Sequence, residues 1–257
     1  MVDLKALIFD VDGTLADTEK DGHRVAFNLA FGKAGLDWDW SVELYGELLK
    51  VTGGKERIRY YLDEFNQAFK RPSNLDAYIA ELHKSKTAFY TQLLSEGSIP
   101  LREGVMRLIK EARKAGLRLA IATTTTPANV SALLQHAMDE DAENWFEVIA
   151  AGDIVPAKKP ANDIYCYTLK QMGLEAGECL AFEDSHNGIL SSLGADLETI
   201  ITINEYTHDH DFSGAMLVLD HMGEPDHAFE VLSGPAIDDS FLNVELLKKL
   251  HQSSNRS

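Results

Sequence analysis

The sequence predicts an α/β protein: a mostly parallel sheet covered by helices on both faces, with a run of helices inserted close to its start. Three observations carry this. Short apolar segments at residues 4–9, 117–122, 147–151, 179–182 and 199–203 alternate with amphipathic helical segments, the pattern of strand, helix, strand units with right-handed crossovers. Several of these segments end in carboxylates or hydroxyls, and open α/β sheets put their sites at the carboxyl ends of the strands. Between about residues 19 and 96 the strand pattern disappears and helical periodicity takes over.

The first apolar segment is short and bounded by charges, which suits a strand buried on both faces rather than a helix. It stops at Asp10-Val11-Asp12-Gly13. Asp10 and Asp12 are two residues apart, so in extended backbone they point the same way, and Gly13 lets the chain turn sharply. Two carboxylates sharing a small space are held by a shared proton, a bound cation or flanking positive groups, so the spacing anticipates a hard divalent metal such as Mg2+. An isolated Asp-x-Asp-Gly is equally a solvated turn after a strand.

At 257 residues and 45% apolar, the chain can bury a sizeable core and corresponds to one or two domains. Its 24 basic and 41 acidic residues give a formal charge of −17, which argues against nucleic acid or an anionic membrane as partner. An anionic substrate then needs local positive charge. No stretch approaches the roughly 18 apolar residues of a membrane span. The first strand begins at about residue 4, leaving no room for a signal peptide. The expectation is a cytoplasmic monomer. Cys166 and Cys179 have a spacing unlike a zinc site and fall in predicted core elements, so both are expected as buried thiols in a reducing compartment.

In the helical stretch, Phe27, Ala30, Phe31 and Ala34 form one stripe and Leu44, Tyr45, Leu48 and Leu49 a second. Ile58, Tyr61, Leu62, Phe65 and Phe69 form a third, and Leu75, Ile79, Leu82, Phe89 and Leu93 a fourth, so the stretch reads as a four-helix bundle. Charged or titratable residues interrupt the stripes: Lys86 in the fourth, Lys55 leading the third and His23 leading the first. Each either carries its charge to water from a helix surface or end or faces a substrate; for His23 the first reading is preferred. Gly53 and Gly54 fall at a probable helix start, where free N–H groups favour anions. With Lys55 and Arg57 beside them they make a candidate anion subsite.

After residue 98 the alternation returns. Residues 103–115 read as a helix, and the strand at 117–122 runs into four threonines, Thr123 to Thr126, with Pro127 suited to open the next helix. Helix 128–138 and strand 147–151 lead to Lys158-Lys159-Pro160, and helix 163–172 leads to strand 179–182, which ends at Glu183-Asp184-Ser185. Read alone, the threonines are helix caps and the lysine pair is solvated. Residues 199–203 read as a further strand, 204–239 as a structural loop, 241–251 as an amphipathic helix and 252–257 as a frayed tail.

Taken in order, these stations resemble the four signatures of the haloacid dehalogenase (HAD) superfamily. They are Asp10-Val11-Asp12-Gly13-Thr14-Leu15, the strand ending at Thr123, Lys159-Pro160, and Glu183-Asp184. The resemblance implies a Rossmann-like HAD core over residues 1–16 and 98–257 with a helical cap over 17–97, and an Mg2+-dependent phosphatase or phosphomutase. It makes Asp10 the nucleophile, Asp12 the acid and base, Thr123 and Lys159 the groups that hold the transferring phosphoryl, and Asp10, Asp12 (through its carbonyl), Glu183 and Asp184 the metal ligands. A closer resemblance is to the CbbY and beta-phosphoglucomutase-like subgroup. It rests on Asp17-Thr18-Glu19, Gly22-His23-Arg24, Ala26-Phe27-Asn28, Thr52-Gly53-Gly54-Lys55-Glu56-Arg57 and Asp163-Ile164-Tyr165. Relative to the mutase pattern His23 is displaced by one residue. Together with the interrupted stripes and the threonine-rich strand end, this closer resemblance gives Thr14, Thr18, Glu19, His23, Gly53, Gly54, Lys55, Arg57, Lys86, Thr124 and Asn187 as the expected substrate contacts. It implies a small phosphorylated sugar as substrate, with xylulose 1,5-bisphosphate leading. A phosphomutase, or a phosphatase of another small metabolite such as phosphoglycolate, is the alternative. Halide displacement needs no leaving-group acid, so the presence of Asp12 disfavours a dehalogenase, and a non-catalytic scaffold is expected to have lost a signature residue.

Overall fold

The computed structural model describes residues 2–51 and 53–254. Thr52, part of the glycine-rich passage above, and the end of the expected tail, 255–257, lie outside the described residues. The chain forms two compact units, Met1–Asp17 with Pro100–Ser257, and Thr18–Ile99.

The first unit is built on a seven-stranded sheet of order β3-β2-β1-β4-β5-β6-β7. Its strands are β1 (Ala6–Phe9), β2 (Arg118–Thr123), β3 (Val148–Ala151), β4 (Cys179–Glu183), β5 (Glu198–Thr202), β6 (Leu217–Leu219) and β7 (Val231–Ser233). All neighbours pair parallel except β6 with β7. β1 is an inner strand between β2 and β4 with its four residues fully buried, as its unbroken apolar run requires. Register sets Phe9 against Phe182, and their rings stack at 4.6 Å. Ala6, Ile8, Ala120, Ala122 and Ala181 join a cluster with Ile164, Tyr165, Leu169 and Met172 of the crossover helix Asp163–Met172. Small side chains on the sheet let that helix approach closely.

Two expectations change here. Cys179 is buried but Cys166 is exposed, because position 166 falls on the outer face of its helix. Residues 204–239 are not all loop. They supply β6 and β7, three residues each, too short to show a period.

The second unit opens with a π-helical turn, Thr18–His23, and continues through α1 (Arg24–Lys33), α2 (Val42–Leu48), α3 (Gly54–Glu64) and α4 (Leu75–Ser95). Ser41 and Asn74 cap α2 and α4 by accepting from Leu44 N–H and Ala77 N–H. Phe27 and Trp40 pack at 4.7 Å, Phe31 and Trp40 at 4.8 Å, and Trp40 and Tyr61 at 5.3 Å, forming an aromatic core. The buried stripe of α4 runs Ile79, Leu82, Lys86, Tyr90, Leu94, one residue out of phase at its end with the expected Phe89 and Leu93. Lys86 is thus on the buried face. α3 ends at Glu64, and Phe65 is left exposed.

Candidate active site

The site of the first unit gathers at the carboxyl ends of β1, β2 and β4. Asp10 follows β1 directly, and its N–H bonds the Phe182 carbonyl at 3.0 Å. The chain then folds into a tight turn in which Leu15 N–H reaches the Val11 carbonyl at 2.9 Å and Gly13 N–H the Ala16 carbonyl at 2.8 Å. Gly13 has φ +86°, and a Cβ there would overlap Asp184 Oδ2 and Asn204 Nδ2, so glycine is required twice over. Asp12 is half-buried in this turn, and Thr14 is buried with no hydrogen-bond partner for its hydroxyl.

Lys159 ties the strand ends together. Its ammonium donates to Asp10 Oδ1 at 2.6 Å, to the Ala122 carbonyl at 2.9 Å and to Glu183 Oε1 at 2.5 Å. Lys158, its neighbour, pairs on the surface with Asp153. Tyr165 hydroxyl adds a second donor to Glu183 Oε1 at 2.5 Å. Thr123 ends β2 almost fully buried, its Oγ1 accepting from Thr125 N–H at 3.2 Å. Thr124 beside it is half-buried, and Asn187, at the start of the helix His186–Leu193, is exposed.

Asp10, Glu183 and Asp184 are all buried and bring carboxylate oxygens within 4.8 Å of one another. Burial pushes Glu183 up to about 7 and Asp184 well above the usual carboxylate range; Asp10 adds to both. Burial alone would lower Lys159, but Asp10 and Glu183 outweigh it and hold the ammonium above its ordinary value. Lys159 thus bonds two of the three carboxylates, and Glu183 Oε2 is buried with no hydrogen-bond partner. A hard cation with oxygen ligands is what this donor set fits. Glu103, His221 and His227 also lie close together, but differently. His221 Nδ1 accepts the Gly223 N–H at 3.0 Å and its ring stacks on His227 with 25° between planes. His227 is exposed and its Nδ1 lies 2.6 Å from Glu103 Oε1, so these groups already partner one another or the backbone near the surface.

A model of the haloacid dehalogenase-like hydrolase family matches residues 4–196. The chain belongs to this family. It is similar to Protein CbbY of Rhodobacter capsulatus, 51% identical over 83% of this chain and 92% of the relative. To the plasmid-borne Protein CbbY of Cupriavidus necator it is 48% identical over 86% and 87%. Among solved structures, a CbbY mutant from Rhodobacter sphaeroides in complex with xylulose-(1,5)bisphosphate superposes with a TM-score of 0.74 at 45% identity, covering 85% of this chain and 94% of that one. The chain is accordingly an enzyme, a hydrolase of the family's phosphatase kind, and its fold is the HAD Rossmann-like one.

The candidate residues of the helical unit form a group of their own. Arg57 is buried and spends its guanidinium inside the unit, donating to Tyr45 Oη at 2.6 Å and Leu48 carbonyl at 3.3 Å, with Glu19 3.7 Å away. Tyr45 in turn donates to Glu19 Oε2 at 2.5 Å. Lys55 is exposed at the start of α3, and Thr18 is buried. Gly53, at φ +97°, has the Glu56 carboxylate where a Cβ would be, so the chain's own anion already stands at that helix start. Gly54 packs likewise against His83. His23 is not at a frayed helix end: it is buried at the junction of the π-helical turn and α1.

Three site residues escaped the sequence reading. Tyr165 was visible only as part of a matched passage. Asn204 is the first residue past the apolar run 199–203, so the strand-end rule that found Thr123 and Asp184 would have found it too. Arg102 gave no signal. Its guanidinium gathers the carbonyls of Gly13, Thr202, Ile203 and Asp220, a role that only the fold creates.

Among the described residues no helix is long and apolar enough to cross a membrane.

Proposed function

We propose that the protein is an Mg2+-dependent phosphatase of small phosphorylated sugars that works through an aspartyl phosphate on Asp10, acting as a cytoplasmic monomer. The observation that carries this reading is the pair of hydrogen bonds from Lys159 to Asp10 Oδ1 and Glu183 Oε1, which sets a cation against the nucleophile beside an acidic group fit for a metal. Xylulose 1,5-bisphosphate is the leading candidate substrate, supported by the likeness to the CbbY structure described with that sugar.

In this reading Asp10 attacks phosphorus. The new Asp10 O–P bond forms as the bond from phosphorus to the sugar oxygen breaks, and Asp12 gives that oxygen its proton. Asp12 then takes a proton from water, whose oxygen attacks the same phosphorus and releases phosphate, regenerating Asp10. Thr123 donates to the phosphoryl oxygens while Lys159 neutralises their charge. Mg2+ held by Asp10, Asp184 and the Asp12 carbonyl, with Glu183 bound directly or through water, would supply further charge neutralisation when present.

The test is turnover of xylulose 1,5-bisphosphate by purified protein with and without Mg2+, following phosphate and sugar product together. Stoichiometric phosphate release that needs Mg2+ and is abolished in Asp10→Asn is the expected result. Accumulation of an isomerised sugar phosphate without phosphate release would replace this reading by a phosphomutase, and substantial turnover by Asp10→Asn would remove Asp10 as nucleophile.

A further inference from the structure

We infer that Asn204 is a positioning residue for the metal site: its side-chain amide fixes the plane of the Asp184 carboxylate. Asn204 Nδ2 donates to Asp184 Oδ2 at 2.7 Å. Which end of the amide faces the acid is settled by the rest of the turn. Tyr206 N–H donates to Asn204 Oδ1 at 3.0 Å, so Oδ1 is committed as acceptor and the NH2 must be the end toward Asp184. The backbone is pinned as well. Asn204 N–H donates to Thr207 Oγ1 at 3.0 Å, and Thr207 N–H returns to the Asn204 carbonyl at 3.1 Å.

The turn is anchored to the sheet from behind. Ile203 N–H bonds the Leu219 carbonyl at 2.9 Å, continuing the pairing of β5 with β6. Arg102, on the segment that leads into the helix Val105–Lys114, takes the Thr202 carbonyl at 3.0 Å together with those of Ile203 and Gly13. One buried guanidinium therefore locks the end of β5 to the turn that comes after the nucleophile. Gly13 has no Cβ, so the turn lies directly against the bond between Asn204 and Asp184. Asn204 thus occupies one lone pair of Oδ2 and sets the direction of the others. Mg2+ demands near-ideal octahedral geometry, whereas Ca2+ accepts variable angles and numbers of ligands. A carboxylate free to rotate should therefore cost Mg2+ more than Ca2+.

This inference rests on the metal site proposed above, and the experiment separates the two. The metal-free wild type and Asn204→Ser are titrated with Mg2+ and with Ca2+ by calorimetry, with melting temperatures taken in EDTA. Serine keeps an acceptor for the Tyr206 N–H but is too short to reach Asp184; Asn204→Ala, measured in parallel, loses both contacts. We expect both variants to bind Mg2+ about 10- to 100-fold more weakly, the range for loss of a group that orients a metal ligand, with a smaller loss for Ca2+. If the alanine variant fails to fold, the serine variant alone decides. Wild-type Mg2+ affinity in Asn204→Ser, or equal losses for the two metals, would overturn the inference. Absence of Mg2+ binding by the wild type would instead overturn the metal site itself.

Discussion

The Lys86 ammonium donates to Nδ1 of His23 at 2.9 Å, with both side chains buried in the helical unit. Lys86 also lies 5.2 Å and 5.0 Å from the ring centres of Phe27 and Tyr90, and the His23 ring packs on Tyr90 at 4.0 Å. An ammonium has no acceptor, so Nδ1 must offer its lone pair and the neutral imidazole carries its proton on Nε2. Burial, then the charges of Lys86 and Arg57 and the nearby His83, hold His23 well below the ordinary histidine value.

That depression links stability to pH. Below about 6.5 the unfolded chain protonates His23 while the folded chain does not, so the protein loses stability as pH falls from there toward the depressed value. His23→Asn keeps an acceptor for Lys86 but cannot titrate. Urea unfolding at pH 7.5 and 5.5 should show a smaller acid-side loss in this variant than in the wild type. Equal losses would show that His23 is not a buried neutral imidazole.

Lys159 makes a prediction of opposite pH sense. Lys159→Met leaves Asp10, Glu183 and Asp184 together without their ammonium, and breaking a buried pair of this kind costs about 3–5 kcal/mol. Burial already pushes Glu183 to about 7, and losing Lys159 raises it further. A carboxylate with a raised folded value contributes stability at low pH that is lost as pH rises through that value. In EDTA the deficit of Lys159→Met should therefore be largest near pH 8 and shrink by pH 6. A deficit that grows on acidification would contradict the charge crowding.

Gly188 sits in the first turn of the helix His186–Leu193, where alanine would ordinarily favour the helix by up to about 1 kcal/mol. Here a Cβ would overlap the Glu183 carboxylate. Gly188→Ala should instead lower the denaturation midpoint and sharply reduce phosphatase turnover, because Glu183 must leave Lys159 and Tyr165 to make room. A stabilised, active variant would mean that the carboxylate moves aside freely.

How much of the protein was legible depends on the range of the interactions. Asp10, Thr123, Glu183 and Asp184 end apolar strands, and a polar residue after a buried run is a local signal that survives without the fold. Lys159 was legible by its proline neighbour only once the resemblance was seen; read alone, the lysine pair looks solvated. Asn204 directly follows an apolar strand and carried the same local signal, whereas Arg102 acts through carbonyls brought close by sheet order, and no period or spacing encodes that. The phase of α4 was missed for a different reason. Leu93 and Leu94 are adjacent leucines, so the apolar pattern alone allowed either face, and the aromatic contacts of Tyr90 decide between them.

The last prediction concerns substrate choice. Lys159 and a metal can neutralise one phosphate, but in a protein of formal charge −17 a second phosphate requires its own cations. Lys55, exposed at the start of α3, is the leading candidate we propose in the helical unit; Lys86 and Arg57 are weaker ones, since Lys86 is buried and already donates to His23, and Arg57 already serves Tyr45, Leu48 and Glu19. A hydrogen bond to a charged group contributes about 1.5–3 kcal/mol, so removing one lysine should lower kcat/KM for a sugar bisphosphate roughly tenfold to a hundredfold. An activated aryl monophosphate has nothing to put against that lysine and should be used almost as well as before. Lys86→Ala carries a further consequence that Lys55→Ala does not, because it also frees His23 Nδ1; its melting temperature must be recorded beside its kinetics. The decisive quantity is the ratio of kcat/KM for bisphosphate to that for monophosphate in each variant. A fall in that ratio supports recognition of the second phosphate, whereas equal losses on both substrates would assign these lysines to the support of the helical unit alone.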